Sequence, residues 1–265
     1  MTKYNLPNEE MKRYEVFSGS NVKQMPKLIA DGRIPASVSQ IMQRRSNLRN
    51  DETGVKTFYM DNSFDTGDAV VYHPDGRFKV VLDSQHLREM TPDTPRNGGA
   101  LIIGEDVYNS LQGEEFRKGK LGKTDNWLNA KDAKAHPVLK VLARDQAFLD
   151  KYVDYIFAEG KQRFGYDTAM GVFPSSAQGN TPEMRAWYVD RLEYGSCVYG
   201  RDDLDSGGGR LLGIAPEAPN ALGNGVNVRT YTMADVQKFG SAVDRLKEVV
   251  NPKLLEEILA MREKL

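Results

Sequence analysis

The clearest pattern along the chain is an alternation. In "DAVVYHPDGRFKVVLD", residues 68–83, two strand-like runs, Ala69–His73 and Arg77–Leu82, flank Pro74-Asp75-Gly76. Proline presets φ for a turn and glycine supplies a positive φ where the chain reverses, so the segment predicts a β-hairpin. "GALIIG", residues 99–104, predicts a further short strand.

Helical spacing dominates elsewhere. Residues 21–47 predict two short helices. The first, "PKLIADG", has Pro26 in its opening turn and Gly32 as its stop. The second starts at Pro35, and Val38, Ile41, Met42 and Arg45 recur on one of its faces. Residues 137–163 predict one long amphipathic helix striped by Val138, Leu142, Leu149, Tyr152, Val153, Ile156 and Phe157. "TPEMRAWYVDRLEYG", residues 181–195, reads as another helix. Thr181 would cap it, Met184, Tyr188 and Leu192 would share a face, and Gly195 would end it. At the C-terminus, Thr232 with Asp235 resembles a capping box, and Asn251-Pro252 divides residues 232–265 into a helical hairpin. Residues 1–17 read as a polar lead-in and 50–62 as a linker.

These elements predict an α+β fold, helix-rich, with a small antiparallel sheet and a C-terminal helical hairpin. Val55–Met60 and Arg210–Ile214 are the segments that could extend the sheet. The linker suggests a lead-in and helix pair over 1–49 and a main α+β domain over 50–265, with one domain as the alternative.

Composition narrows the function classes. The 265 residues are 40% hydrophobic and 28% charged, which suits a globular chain with its own core. The formal net charge of −1 argues against a chain devoted wholly to nucleic acid or a membrane surface. A single cysteine, Cys197, excludes an internal disulfide and a CxxC site. No apolar run reaches membrane-spanning length and no signal-peptide pattern is evident, so a soluble, intracellular, cytoplasmic protein is expected.

Three stretches carry candidate chemistry. "YGRDDLDSGGGRLLG", residues 199–213, gathers carboxylates, arginines and a glycine triplet. A phosphate-binding loop fails for want of Lys and Ser/Thr after the glycines, and a dinucleotide fingerprint fails at Leu212. A calcium loop starting at Asp203 fails at Gly207 and Ile214. What survives is Asp203 and Asp205 as candidate ligands for Mg²⁺ or Ca²⁺. The second stretch is the N-terminal helix pair, which has the outline of a helix-turn-helix. There Arg44, Arg45 and Arg49 would meet phosphates, and Ser37, Ser39, Gln40 and Gln43 base edges. Lys118 and Lys120, in "FRKGKLGK", add a second basic run near Trp127.

For catalysis, Asp83 and His86 would share a helical face, where a carboxylate can orient an imidazole. The three histidines show no metal-ligand spacing, so zinc is not expected, nor is a nucleotide-fold cofactor. The leading reading is a binding protein, with nucleic acid engaged through the N-terminal helix pair or with a partner protein. One alternative is an enzyme acting on a phosphorylated or anionic small molecule, with a cation at the 202–205 acidic loop. Another is a structural or interaction protein with no active site.

Overall fold

A computed structural model of the protein describes residues 12–51, 54–201 and 203–216. The C-terminal hairpin expected at 232–265 lies outside the described residues. In chain order the elements are β1 (Tyr14–Ser18), α1 (Asn21–Ala30), β2 (Ile34–Pro35), α2 (Val38–Asn47), α3 (Val55–Asp61), β3 (Phe64–Tyr72) and β4 (Arg77–Val81). Then come α4 (Gln85–Glu89), β5 (Arg96–Asn97), β6 (Ala100–Ile102), α5 (Glu105–Ser110) and β7 (Glu114–Arg117). The remainder are α6 (Ala130–Ala135), α7 (Pro137–Ala143), α8 (Gln146–Phe164), β8 (Val172–Pro174), β9 (Glu183–Val189), β10 (Val198–Gly200) and β11 (Arg210–Ile214).

All eleven strands belong to one mixed sheet. Its main path runs β1-β11-β3-β9-β10-β8. The β3–β4 hairpin carries β7, β6 joins β9 and carries β5, and β2 lies on β11. The β11–β3 and β10–β8 pairs are parallel, and the others are antiparallel. The expectation of a small antiparallel sheet in a helix-rich chain is therefore corrected: the sheet is large and mixed. Most of its pairings join strands far apart in sequence, and local periodicity does not report on those.

The sheet has a core on each face. Val70, Tyr72, Trp187, Val189, Val172 and Val198 face one, where α2, α3, α7 and α8 add Ile41, Tyr59, Leu142 and Ile156. Ala69, Val71, Met184 and Ala186 face the other, with Leu28 from α1, Leu87 from α4 and Tyr108 from α5. Burial on both faces leaves every residue of β3 inaccessible. The described helices of the 1–49 segment are built into these same cores.

The hairpin and the strand in 99–104 form as the alternation predicts. The two helices of 21–47 also form, with Gly32 at φ +74° after the first, but their starts differ: Pro26 lies inside α1, and Pro35 belongs to β2, with α2 starting at Val38. Four other segments differ. Residues 14–18 of the expected lead-in pair with β11, and the expected linker contains α3, whose Val55, Phe58, Tyr59 and Met60 are core. The helix expected over 137–163 is two, because Arg144 turns left-handed at φ +66° and Asp145 recaps the chain by accepting the Phe148 N–H at 2.5 Å. The helix expected over 181–195 is strand β9 followed by a single 3₁₀ turn at Leu192–Tyr194. Its period-four apolar positions are real, but Glu183 and Arg185 are buried charges, and they disguise a two-sided strand as one with a polar face.

The helix pair is not a free helix-turn-helix. Between α1 and α2 the chain enters the sheet as β2, and Arg45 of α2 is wholly buried. Its Nε donates to the Tyr59 carbonyl at 3.0 Å, and Nη1 to Ser196 Oγ at 2.7 Å. Nη2 donates to the carbonyls of Asn62 at 3.1 Å and Asp190 at 2.9 Å. One guanidinium thus joins α2, the α3 exit and the chain after β9. Ser196, held at φ +54°, is fixed further by Tyr152 Oη at 2.9 Å.

Two stability predictions follow from this interior. Arg45→Met leaves the carbonyls of Tyr59, Asn62 and Asp190 without this donor and should cost about 3–5 kcal/mol in urea unfolding. A loss below about 1 kcal/mol would show that the guanidinium is not a hub. His136, 5% exposed at the α6–α7 junction, has its imidazole pulled down to about 4 by burial, from an ordinary value of 6.5. Above pH 6.5 both folded and unfolded chains hold it neutral. As the pH falls toward about 4 the unfolded chain alone takes up the proton, so stability is lost by up to about 1.4 kcal/mol per pH unit. His136→Gln should flatten that part of the pH–stability curve, and an unchanged curve would rule the imidazole out as its source.

Candidate functional site

The site is built where β8, β9 and β10 meet three loops, residues 95–99, 175–182 and 201–209. Each loop is held from beneath by a buried polar side chain. Glu183, the first residue of β9, accepts the backbone N–H of Gln178 at 2.9 Å and of Gly179 at 2.8 Å, and the side-chain amide of Asn97 at 2.7 Å. Two residues on, Arg185 donates to the Asp203 carboxylate at 2.6 Å and to the Gly98 carbonyl at 2.5 Å. Tyr72 of β3 donates its hydroxyl proton to the Gly200 carbonyl at 2.7 Å and accepts the Ser175 N–H at 2.8 Å. Burial raises that phenol above its ordinary pKa, which keeps it a donor. Asp65, also buried, accepts the Arg210 N–H at 2.6 Å and holds the exit of the third loop.

Backbone contacts complete the frame. Leu204 donates to Gly99 O at 2.9 Å and buries its side chain in the second core, which splits the acidic run. Gly99 has φ +76°, and a Cβ there would fall 2.4 Å from Asp203 Cβ, so only glycine fits. Gly200 is required too, since a Cβ would meet the Tyr72 hydroxyl oxygen.

An aromatic row lies on the face of β9 opposite to that of Glu183 and Arg185. Phe173, Tyr199 and Tyr188 are register partners on β8, β10 and β9. Their rings stack at 4.5 Å and 4.9 Å, with interplanar angles of 14° and 10°. The exposed guanidinium of Arg201 covers the row, 4.8 Å from the Tyr199 centroid and 5.7 Å from Phe173. Tyr188 is half-buried, and Gln178, Asn180, Asp203 and Asp205 are exposed on the clamped loops. The row with Arg201 over it is an aromatic–guanidinium surface suited to binding by stacking and hydrogen bonds.

The structure disperses most of the residues singled out from the sequence. Asp203 is engaged by Arg185, and Asp205 faces Arg96 at 3.6 Å. Among the described residues no group of three or more His, Cys, Asp or Glu side chains could hold a metal ion. Arg44 lies over Tyr14 and Tyr59, Arg45 is in the core and Arg49 lies over Tyr155, so the three do not form one basic face. Lys118 binds the Pro174 carbonyl and Asp125, both at 3.1 Å, and Lys120 is exposed.

Asp83 and His86 do not share a helical face. Asp83 precedes α4 in a left-handed turn at φ +50°, and its carboxylate pairs with Arg144 at 2.8 Å. His73 sits on the hairpin between Asp75 and Glu105. Cys197 is wholly buried, and burial pushes its thiol pKa upward, away from a nucleophilic thiolate. Sequence reasoning missed Glu183, Arg185 and Tyr72, because nothing local marks a charge or a phenol as buried. Arg45 did carry a signal: it falls on the apolar stripe of Val38, Ile41 and Met42.

No family model matches the chain, and no curated protein matches it. One solved structure, from work on the accommodation of massive sequence variation in Nanoarchaeota by the C-type lectin fold, matches with a TM-score of 0.55. The match covers 76% of this chain and 97% of that one, at 13% identity. At that identity the likeness is one of fold: the chain has a C-type lectin-like architecture. No helix among the described residues is long and apolar enough to cross a membrane.

The Tyr72 clamp can be tested alone. Tyr72→Phe keeps the ring and removes the hydroxyl, leaving the Ser175 N–H and the Gly200 carbonyl without it. It should cost about 1–3 kcal/mol in chemical unfolding. It should also speed amide exchange at Ser175, and slow exchange there in the variant would count against the clamp.

Proposed function

We propose that the protein is a binding protein that recognises a partner protein through the loop face around Tyr188, Tyr199, Phe173 and Arg201. The observation that carries this reading is the division of labour between backbone and side chains. The clamps of Glu183, Arg185, Tyr72 and Asp65 grip mainly main-chain atoms of the loops. The loop conformation is thereby fixed from below, and the outward side chains are left to serve recognition. A fold neighbour described as accommodating massive sequence variation supports such a division here.

A protein partner suits the chemistry of the face. Tyrosine and arginine are enriched at the centres of protein interfaces, and a polar rim surrounds them. Asp203 and Asp205 follow Arg201 in the same loop, and carboxylates so close in the chain disfavour a phosphate backbone.

The test is a pair of libraries. Randomising Gln178, Asn180, Arg201 and Asp205 should leave the fold intact, with single changes costing within about 0.5 kcal/mol. Displayed and selected against unrelated proteins, that library should yield specific binders. Randomising Glu183 and Arg185 should instead lose folded protein, at about 3–5 kcal/mol for each clamp broken. Outward substitutions as damaging as those of the clamps would overturn the reading.

A further inference from the structure

We propose that the outer edge of β7 is a self-association surface, on which a second copy of this chain adds its own β7 antiparallel, centred on Phe116. β7 pairs with β4 in the register Arg77↔Arg117, Phe78↔Phe116, Lys79↔Glu115 and Val80↔Glu114, and among the described residues β4 is its one neighbouring strand. The His73 N–H donates to the Arg77 carbonyl at 2.9 Å, and the Lys118 N–H to the Gly76 carbonyl at 3.5 Å. The alternation of an antiparallel ladder then turns the main-chain groups of Phe116 toward β4. It turns the N–H groups of Glu115 and Arg117 and the carbonyl of Glu115 outward. Glu114, Glu115 and Arg117 are exposed, and Phe116 is half-buried against Phe78, with ring centroids 5.6 Å apart.

The sequence along this edge is self-complementary. Residues 114–118 read "EEFRK", so the signs of charge mirror about Phe116. Outward main-chain groups pair only with others that also point outward. The register centred on Phe116 meets that condition and sets Glu115 of each copy against Arg117 of the other, with Phe116 on Phe116 at the two-fold axis. Each Arg117 N–H then donates to the other copy's Glu115 carbonyl. The nearest alternatives that meet the condition set Glu115 on Glu115 or Arg117 on Arg117, and like charges directly opposite destabilise a ladder. An edge that only shields itself carries charges that repel a copy. The charges of β7 attract one.

The contacts already made within the chain are compatible with this pairing. Glu115 uses Oε2 for Arg77, at 3.3 Å, and for the Tyr108 hydroxyl, at 3.0 Å, and its Oε1 is a further acceptor. Arg117 donates Nη1 to the Asp75 carbonyl at 3.3 Å, and its register neighbour on β4 is another arginine, so a second carboxylate is favoured beside it. Lys118 is held by the Pro174 carbonyl and Asp125, so the outer Glu114–Lys118 pairs add less. The contact is isologous and closes at two copies. A strand this short gives a weak dimer. The loop face takes no part, so the dimer stands or falls independently of the proposed protein recognition.

Sedimentation equilibrium on the intact chain tests the proposal. A monomer–dimer equilibrium with a Kd of about 100 µM or tighter is expected, with no larger species. A chain that stays monomeric up to about 300 µM overturns it. Amide exchange should slow at Glu115 and Arg117 as the concentration rises, and rates there that ignore concentration overturn it without any variant. Arg117→Glu sets two carboxylates against each other and Glu115→Arg two guanidiniums, so each should weaken self-association about tenfold or more. Mixed in equal amounts, the two variants restore opposite charges at both pairs and should form a heterodimer within about threefold of the wild-type Kd. A folded Arg117→Glu chain that dimerises like the wild type, or folded variants that stay apart when mixed, would overturn the proposed pairing.

Discussion

Strand β9 is shielded from water on both faces through its first five residues, and the organisation of the site depends on that constraint. A strand in such a position is ordinarily apolar throughout. This one carries Glu183 and Arg185, and an ionised group out of water is tolerated only when its hydrogen-bonding capacity is met. The partners of Glu183 and of the two Arg185 Nη atoms are the backbone and side chains of three loops. The cost of burying two charges is thereby offset by contacts that determine where those loops run. Tyr72 and Asp65, on the neighbouring strand β3, extend the same arrangement to Ser175, Gly200 and Arg210.

Arg45 solves the same problem elsewhere in the interior. Its guanidinium is fully buried, and its recorded acceptors are three carbonyls and one hydroxyl. Those carbonyls belong to chain segments leaving α3 and β9, where regular hydrogen bonding ends and acceptors would be stranded. A single side chain from α2 satisfies them together. This ties α2 of the N-terminal helix pair into the sheet's core.

The parts of the fold legible in the sequence are those whose signals are local. Pro74-Asp75-Gly76 announces the hairpin, and Gly32 announces the end of α1, because each residue type restricts its own φ. The break between α7 and α8 was also signalled locally, by Asp145 as an N-cap, although the continuous apolar stripe across 137–163 obscures it. The segment 181–195 misleads for a physical reason. Met184, Tyr188 and Leu192 fall four apart, yet Met184 and Tyr188 lie on one face of a strand, and Leu192 belongs to the turn after it. The charges between them look solvent-facing because burial of a charge leaves no mark on composition. Of the candidate site, the sequence exposes the glycine-rich loop and Arg201, but not the clamps beneath them.

The sequence by itself determined the hairpin turn, several caps, the two helices of residues 21–47 and the demand for a substantial core, since these follow from the conformational and solvation preferences of residues close together in the chain. The tertiary structure alone decided that β1 meets β11, that β9 lies between β3 and β10, and that Glu183, Arg185 and Arg45 are interior. It also turned "RDDLDSGGGR" from an apparent cation loop into a loop split by a buried leucine, its Asp203 held by Arg185. Such outcomes depend on which distant segments share one desolvated interior, and the energy of a polar group there is set by the partners that arrive with it, not by its neighbours in sequence.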